Sequence, residues 1–425
     1  MTTSENTTIA LIGTCDTKLQ ELLRLKELIL EAGASSVILI DAGSYPVQHE
    51  GIDVGRGQGQ DQGQGETPGY VYVTEGEEAE LASADRSGCL RIMTECAKRC
   101  VRSLHRDGRI QGAISAGGSG GTSLAAPVMR EALPIGFPKL IVSTIASGDT
   151  GPLVGESDVT MMYSVVDIAG SNALLDRIFS NAAGAIAGMA HAWASSSSAS
   201  PRSKAGSKKK KMAVGITMFG VTTPCVNQVR ELLESRYDCE CFVFHATGHG
   251  GRALERLVED GQLDVVLDLT TTEVCDHLMG GNMSAGATRL EAAPKAGIPY
   301  IVSLGAIDKL QNSSPIAQRL TQVKILVMRT TAEECKSVGE FIADKLRRFA
   351  RDQEKIKVLL PKGGVSIIAT PGAPFADAEA DEAAFEAIRT GLRGTGIEVI
   401  ERREAINDEN FAKEATNTLA AILST

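Results

Sequence analysis

The sequence predicts an α/β protein of two tandem subdomains, each a parallel sheet covered by helices on both faces. Three observations carry that prediction. Short apolar runs alternate with helical patterns through both halves of the 425 residues, and continuous apolar strands separated by helices mean parallel sheets buried on both faces. The halves also correspond in detail. FPKLIVSTIASGD (137–149) lines up with IPYIVSLGAID (298–308), and DGRIQGAISAGG with DGQLDVVLDLTT, which is the mark of an internal duplication. Between them lies ASSSSASPRSKAGSKKKK (194–211), a composition that buries too little apolar surface to order itself and reads as a flexible linker. The length agrees, because single cores stop growing near ~250–300 residues. Two Rossmann-like subdomains, 1–193 and 212–425, are therefore expected. Their sheets should face each other across a cleft, with ligand at the carboxyl ends of the strands.

In the first half, TIALIG (8–13) is a strand followed by a helix from about Asp16 to Ala32, with leucines at 19, 22, 23, 25, 28 and 30. SVILIDAG (36–43) is the next strand, and GIDVGRGQGQDQGQGETPG (51–69) reads as a disordered surface insertion. A helix near 87–106, the strand GAISAGG (112–118), a helix across 122–132 and the strand KLIVSTIA (139–146) follow. After an irregular segment and the run DVTMMYSVV, a small-residue helix at 171–191 closes the half. The second half repeats the scheme with strands at 213–220, 239–248, 264–271, 300–308, 324–331 and 365–370. Its helices include 332–350, 377–392 and a last one from Glu409 to Leu423. That last helix is expected, by analogy with paired-Rossmann proteins, to cross back onto the first half.

Composition narrows the function. Acidic residues number 53 against 43 basic, a net charge of −10, which does not suit wrapping nucleic acid or lying on an anionic membrane. The start of the chain has no basic region leading into an apolar core, so no secretory signal is expected. No apolar run reaches the ~18–20 residues of a membrane helix. The nine cysteines are scattered in apolar runs and read as reduced, buried side chains of a cytoplasmic protein. Neither Cys96/Cys100 nor Cys239/Cys241 has a second ligand pair at zinc-finger spacing. The lysines 208–211 admit an alternative reading as a localisation or polyanion patch.

The chemistry should lie in strand-end loops. GAISAGGSGGTSLAAPVMREAL (112–133) is a strand, a glycine run and a helix beginning near Thr122. Glycines admit close backbone approach, and the helix start offers free N–H groups and a positive dipole end, an anion site. Gly117, Gly118, Ser119, Gly120, Gly121 and Thr122 are the candidate cradle; the plainer alternative is a tight turn with Thr122 as helix cap. Gly13–Lys18 follows the first strand and puts Thr14, Asp16, Thr17 and Lys18 at a helix opening, where Asp16 could equally be a cap. The loop after the fourth strand offers Thr144, Ser147, Gly148, Asp149 and Thr150, with Asp149 a candidate magnesium partner. Asp41 is placed like the acid that grips a ribose hydroxyl, or like a solvated strand-end acid. Neither a Walker A loop nor a G-x-G-x-x-G after a strand occurs, which disfavours ordinary NTPases and dehydrogenases.

In the second half, His245-Ala-Thr-Gly-His249-Gly-Gly-Arg252 joins a strand to a helix. His249 is a candidate acid or base and Arg252 a candidate anion partner. Asp268, Glu273 and Asp308 follow at later strand ends and complete the candidate catalytic set. The loops 280–286 and 362–366 could close a cleft.

At these motifs the chain resembles a known family. GTCDTK, AGGSGGTSLAAPVMREALPIGFPK, STIASGDT, VVDIAGSNALLDRIFSNAAGAIAGM, GITMFGVTTPCV, FHATGHGGRALERL, GGNMSAGATRLEAA and PGAPFADAEADEAAF are similar to the family typified by the N-terminal ATP-binding domain of the tomato mosaic virus resistance protein. The similarity runs from about residue 7 to the C-terminus, interrupted by the segments 51–69 and 192–211. It implies two Rossmann-like subdomains, ATP bound by the first, Mg²⁺, and a homodimer. The plant protein's additional TIM-barrel-like domain has no expected counterpart here, and its binding of a viral replicase is not carried over. Besides an ATP-binding protein, two alternatives stay open. One is a metabolic enzyme acting on a nucleotide-sugar or an acyl or phosphoryl substrate; the other is a regulatory module that ATP locks.

Overall fold

Residues 7–55, 73–199, 211–312 and 326–424 are described by the computed structural model, and the chain divides into two units, Met1–Lys208 and Lys209–Thr425. Unit 1 runs β1 (Thr8–Gly13), α1 (Cys15–Glu31), β2 (Ser36–Asp41), α2 (Glu75–Leu81), α3 (Arg86–Arg106), β3 (Gly112–Gly117), α4 (Ser119–Ala132), β4 (Lys139–Ser143), α5 (Gly151–Val154), β5 (Thr160–Tyr163) and α6 (Ala173–Ala199). Its five strands are all parallel, in the order β2-β1-β3-β4-β5. One sheet face packs on α3 and α4, with Ile12, Ile92, Val101 and Met129 in that core. The other packs on α1 and α6, with Leu11, Leu25, Phe179 and Ile186. Burial on both faces explains why β1, β3 and β4 read as unbroken apolar runs.

Unit 2 runs β6 (Met212–Met218), α7 (Thr223–Arg236), β7 (Cys239–His245), α8 (His249–Glu259), β8 (Val265–Thr270), α9 (Thr272–Met279), α10 (Ala292–Ala296), β9 (Tyr300–Gly305), β10 (Lys309–Asn312), β11 (Leu326–Arg329), α12 (Ala332–Phe349), β12 (Ile356–Pro361), α13 (Ala378–Leu392), β13 (Glu398–Arg402) and α14 (Glu409–Ser424). The parallel sheet has the order β13-β12-β9-β8-β6-β7. Read from its other edge, β7-β6-β8-β9 repeats the β2-β1-β3-β4 of unit 1. The duplication seen in the sequence is thus a repeat of topology. Both sheets reverse direction of strand order at one point, between β1 and β3 and between β6 and β8, the position where such sheets bind ligands.

Several expectations need correction. Residues 326–329 do not join the parallel sheet; β11 pairs antiparallel with β10 as a separate ribbon, leaving Val327 and Met328 about two-fifths exposed. No strand forms over 365–370. The sheet is instead completed by β12 and β13, whose proline end and charge-rich run concealed them. Residues 51–55 are not a surface insertion: Ile52 and Val54 are buried, and Val54 bridges Ile40. Residues 56–69 of that segment, and 200–210 of the expected linker, lie outside the described residues, while α6 carries residues 194–199 in helix. The last helix packs on α7 within its own unit. Its Phe411, Ala415, Leu419 and Ile422 join the core of Val214, Ile216, Val226 and Leu233. Each large buried side chain is worth about 1.5–3 kcal/mol. Trimming the chain after Ala405 is therefore expected to remove the cooperative melt of unit 2, read by circular dichroism.

Candidate functional site

Unit 1 carries a cavity of about 380 Å³ at its switch point, between the loops that leave β1 and β3. That volume falls within the roughly 300–1,000 Å³ of small-molecule sites. Thr14, Asp16, Thr17 and Lys18 line one side and Gly118, Ser119, Gly120 and Gly121 another. The two motifs singled out separately in the sequence therefore meet in one place.

The geometry suits an anion. Helix α4 starts at Ser119, three residues earlier than the sequence suggests, with Gly118 as its N-cap and no capping side chain. The first-turn N–H groups of a helix have no carbonyl partner within it; here the first intrahelical bond is Thr122 N to Gly118 O, 2.9 Å. What reads as a glycine loop is thus a glycine first turn. Helix α1 opens on the same cavity, and its N-cap Thr14 also makes no capping side-chain bond. Its first N–H, from Cys15, is taken by Asp41 Oδ1 at 3.0 Å. The positive end of α4 and the opening turn of α1, which kinks at Lys18, converge, and two cations join them: Lys18, and Arg86 at the first turn of α3. Among the described residues neither side chain makes an ion pair or a hydrogen bond. A Cβ on Gly120 would touch only Arg86 Nη2, at 3.6 Å, so the glycine keeps open a space that the fold does not fill.

Asp16 is pinned by the loop after β2, its Oδ2 accepting from Ser44 N (2.8 Å) and Tyr45 N (3.1 Å). Thr14 and Thr17 hydroxyls bond each other at 2.9 Å. Asp41 does not line the cavity. It is buried, Oδ1 holds Cys15 N and Gly43 N, and burial pushes its carboxyl above the usual range. Its Oδ2 has no partner among the described residues. Gly117 and Thr122 are structural. A Cβ on Gly117 would meet Gly121 Cα at 3.1 Å, and the Thr122 hydroxyl ties α4 to β4 through Ser143 Oγ at 2.6 Å. Thr144 lies alongside, its Oγ1 3.7 Å from a Cβ on Gly118. Ser147, Gly148, Asp149 and Thr150 do not line the cavity; Asp149 Oδ1 accepts from Gly151 N at 3.0 Å and closes its own turn. Sequence reasoning missed Ser44, Arg86, Leu90 and Asp167, which complete the lining. Arg86 was within reach, as a basic residue opening a helix. No group of three or more His, Cys, Asp or Glu side chains able to hold a metal occurs among the described residues.

Residues 7–195 match the N-terminal domain of the uncharacterised protein family UPF0261, and residues 211–423 match its C-terminal domain. A UPF0261 protein of Clostridium tetani is 39% identical over 419 residues, covering 96% of each chain. The chain belongs to the UPF0261 family. A further relative is the ToMV resistance protein Tm-1(GCR237) of tomato, Solanum lycopersicum, 39% identical over 364 residues, 82% of this chain and 46% of that one. Among solved structures, a UDP-N-acetylglucosamine 2-epimerase from Rickettsia bellii aligns over 99% of this chain and 96% of its own, at 11% identity and a TM-score of 0.22.

In the UPF0261 C-terminal domain the five catalytic candidates fall into three separate settings. Asp268 and Glu273 belong to a buried network around Arg289, itself 1% exposed. Asp268 takes both Arg289 Nη atoms at 2.6 Å, Thr217 Oγ1 at 2.8 Å and Tyr300 OH at 2.8 Å. Its acceptor capacity is filled, so it is no general acid or base. Glu273 Oε2 takes Arg289 Nε at 2.9 Å. Glu273 Oε1 accepts from Gly248 N (2.6 Å) and Gly251 N (3.0 Å), the start of α8. A second glycine helix start, alike in sequence though placed after a different strand, is thus occupied by the protein's own carboxylate. Gly251 is required there, because a Cβ would lie 2.0 Å from Glu273 Oε2. Glu273→Gln should loosen this helix start, costing about 1–3 kcal/mol as a charge-assisted partner is lost, measured by chemical denaturation.

His249 is exposed at the tip of α8, with Nδ1 3.0 Å from Arg252 Nη2, and Arg252 donates to Ser284 O at 2.8 Å. Asp308 is buried elsewhere, beside Lys309 and Ser366.

Proposed function

We propose that this protein is a cytoplasmic ATP-binding protein, dimeric as the family resemblance implies, with the phosphates held in the unit 1 cavity. The observation that carries this reading is the convergence on one cavity of the uncapped start of α4, the opening turn of α1 and two cations whose side chains have no partner among the described residues. A phosphate chain is the ligand such an arrangement recognises. The first-turn N–H groups at Ser119, Gly120 and Gly121 would take one phosphate, and Lys18 and Arg86 would neutralise its neighbours. Asp16 is the lining carboxylate suited to an Mg²⁺ ion carried by the nucleotide, held through water oxygens. The hydroxyls of Thr14 and Thr17 supply further donors.

Calorimetric titration of the full chain with ATP and magnesium tests the reading. Saturable heat with a rise in melting temperature is expected. Neither heat nor thermal shift at millimolar nucleotide would overturn it. Binding should weaken as salt rises, because part of the attraction is between charges open to solvent.

A further inference from the structure

Four lysines are buried among the described residues, and one of them is unlike the rest. Lys139 meets Pro134 O at 2.6 Å, Phe137 O at 3.0 Å and Asp158 Oδ1 at 2.7 Å. Lys98 sits between Glu95 (2.7 Å) and Glu131 (2.6 Å), and Lys345 bonds Ala287 O and Glu291. Lys309, 2% exposed, has one acceptor among the described residues: Asp308 Oδ1, at the long distance of 3.3 Å. An ammonium carries three donors, and a buried charge left short of partners is costly. Burial accordingly pushes Lys309 below the usual lysine range, against the pull of Asp308.

The surroundings are those of a site. Lys309 opens β10 just after β9, on the carboxyl edge of the sheet where open α/β proteins bind ligands. Asp308 is held by Ser366 Oγ, which donates to Oδ2 at 2.9 Å. The lysine nitrogen lies 5.4 Å from the centre of the half-buried Phe219 ring, and that ring stacks on exposed His245 with centroids 5.3 Å apart. Ala306, between β9 and Lys309, has φ +58°, a left-handed conformation that a residue with a Cβ adopts at a cost. Two buried hydroxyls on the same edge, Ser303 Oγ and Thr272 Oγ1, have no partner among the described residues, and buried hydroxyls are rarely left so.

We propose that Lys309 is an imine-forming amine for a small aldehyde or ketone, with Asp308 carrying the protons. The Lys309 ammonium passes one proton to Asp308. The freed nitrogen lone pair attacks the carbonyl carbon, and the oxygen that gains the π electrons takes that proton back from Asp308. The nitrogen then gives a second proton to Asp308, which delivers it to the new hydroxyl. The hydroxyl leaves as water while the nitrogen lone pair closes the C=N bond. One carbonyl is consumed and one water released, and Asp308 ends unprotonated as it began.

Trapping tests this on the full chain. The protein is incubated at pH 7 with propanal, and separately with pyruvate, in the presence of cyanoborohydride, and the alkylated lysines are mapped by mass spectrometry. With at least one probe, labelling at Lys309 is expected to outpace every exposed lysine by about tenfold, since more of it is unprotonated and Asp308 stands beside it to carry the protons. Lys309→Met should remove the fast phase. Label spread over the exposed lysines, with Lys309 unmodified or no faster than they are with both probes, overturns the proposal. The map of the unaltered chain decides this even if the variant fails to fold.

Discussion

Replacing Arg289 by methionine is expected to unfold unit 2 at neutral pH. Among the described residues the guanidinium is the one cation shared by Asp268, Glu273 and Glu255, and Glu255 also receives the backbone N–H groups of Leu290 (2.7 Å) and Ala292 (2.7 Å). Without it, three buried carboxylates face one another. Removing one partner of a buried pair costs about 3–5 kcal/mol, much of the roughly 5–15 kcal/mol a domain has. Arg289→Lys should fail as well, because a point charge cannot serve three acceptors with a planar fork. The damage should ease in acid. Burial already lifts the Glu255 carboxyl above the ordinary range, ahead of the opposing pull of Arg289. A carboxyl raised in the folded state binds its proton more tightly there than in the unfolded chain. The stability it contributes is full below the unfolded pKa and lost as pH rises through the folded one. The variant should therefore melt higher at pH 5 than at pH 8. A melt superimposable on that of the parent at pH 7 would show the network to be dispensable.

The second large effect concerns the ligand. Lys18→Ala and Arg86→Ala should each weaken ATP binding by a charge-assisted contact, roughly 1.5–3 kcal/mol or about ten- to a hundredfold. The double variant should approach the product of the two, because the cations approach the cavity from different helices. Thr17→Val, which removes a neutral hydroxyl, should cost about 0.5–1.5 kcal/mol. None of the three should lower the melting temperature much, since the Arg86 and Lys18 side chains hold no partner among the described residues. Equal losses from Thr17→Val and Arg86→Ala would mean that charge does not dominate this site.

How much of this could be read in the sequence depended on whether a residue's partners were local. Strands β1, β3, β4, β6, β8 and β9 are buried on both faces, so their apolar runs are unbroken and their positions plain. The edge strand β13, Glu398–Arg402, has only exposed and half-buried positions and reads as a charged segment. The run at 365–370 is apolar enough for a strand, yet Gly364 at φ +138° and the bond from Ser366 to Asp308 fold it into turns. Local helix-start logic found both sides of the unit 1 cavity. It could not find Arg289, whose partners come from α8, β8 and α9, nor distinguish Asp268 as a structural acid from a reactive one. The glycine runs at 117–121 and 248–251 look alike in sequence. A carboxylate 22 residues beyond Gly251 fills the second, and none of the described residues fills the first.

That difference is the centre of the account, and Gly120→Leu tests it most directly. The position has room for a Cβ and lies in the first turn of α4, where leucine is a better helix former than glycine. The variant should fold and melt as the parent does. Its side chain would project toward Arg86 into the space assigned to phosphate. Titrated with ATP and magnesium beside the parent, it should show binding weakened at least a hundredfold, about 2.7 kcal/mol, with the melt unchanged. Parent-like affinity in a folded Gly120→Leu protein would contradict the placement of the phosphates at the start of α4.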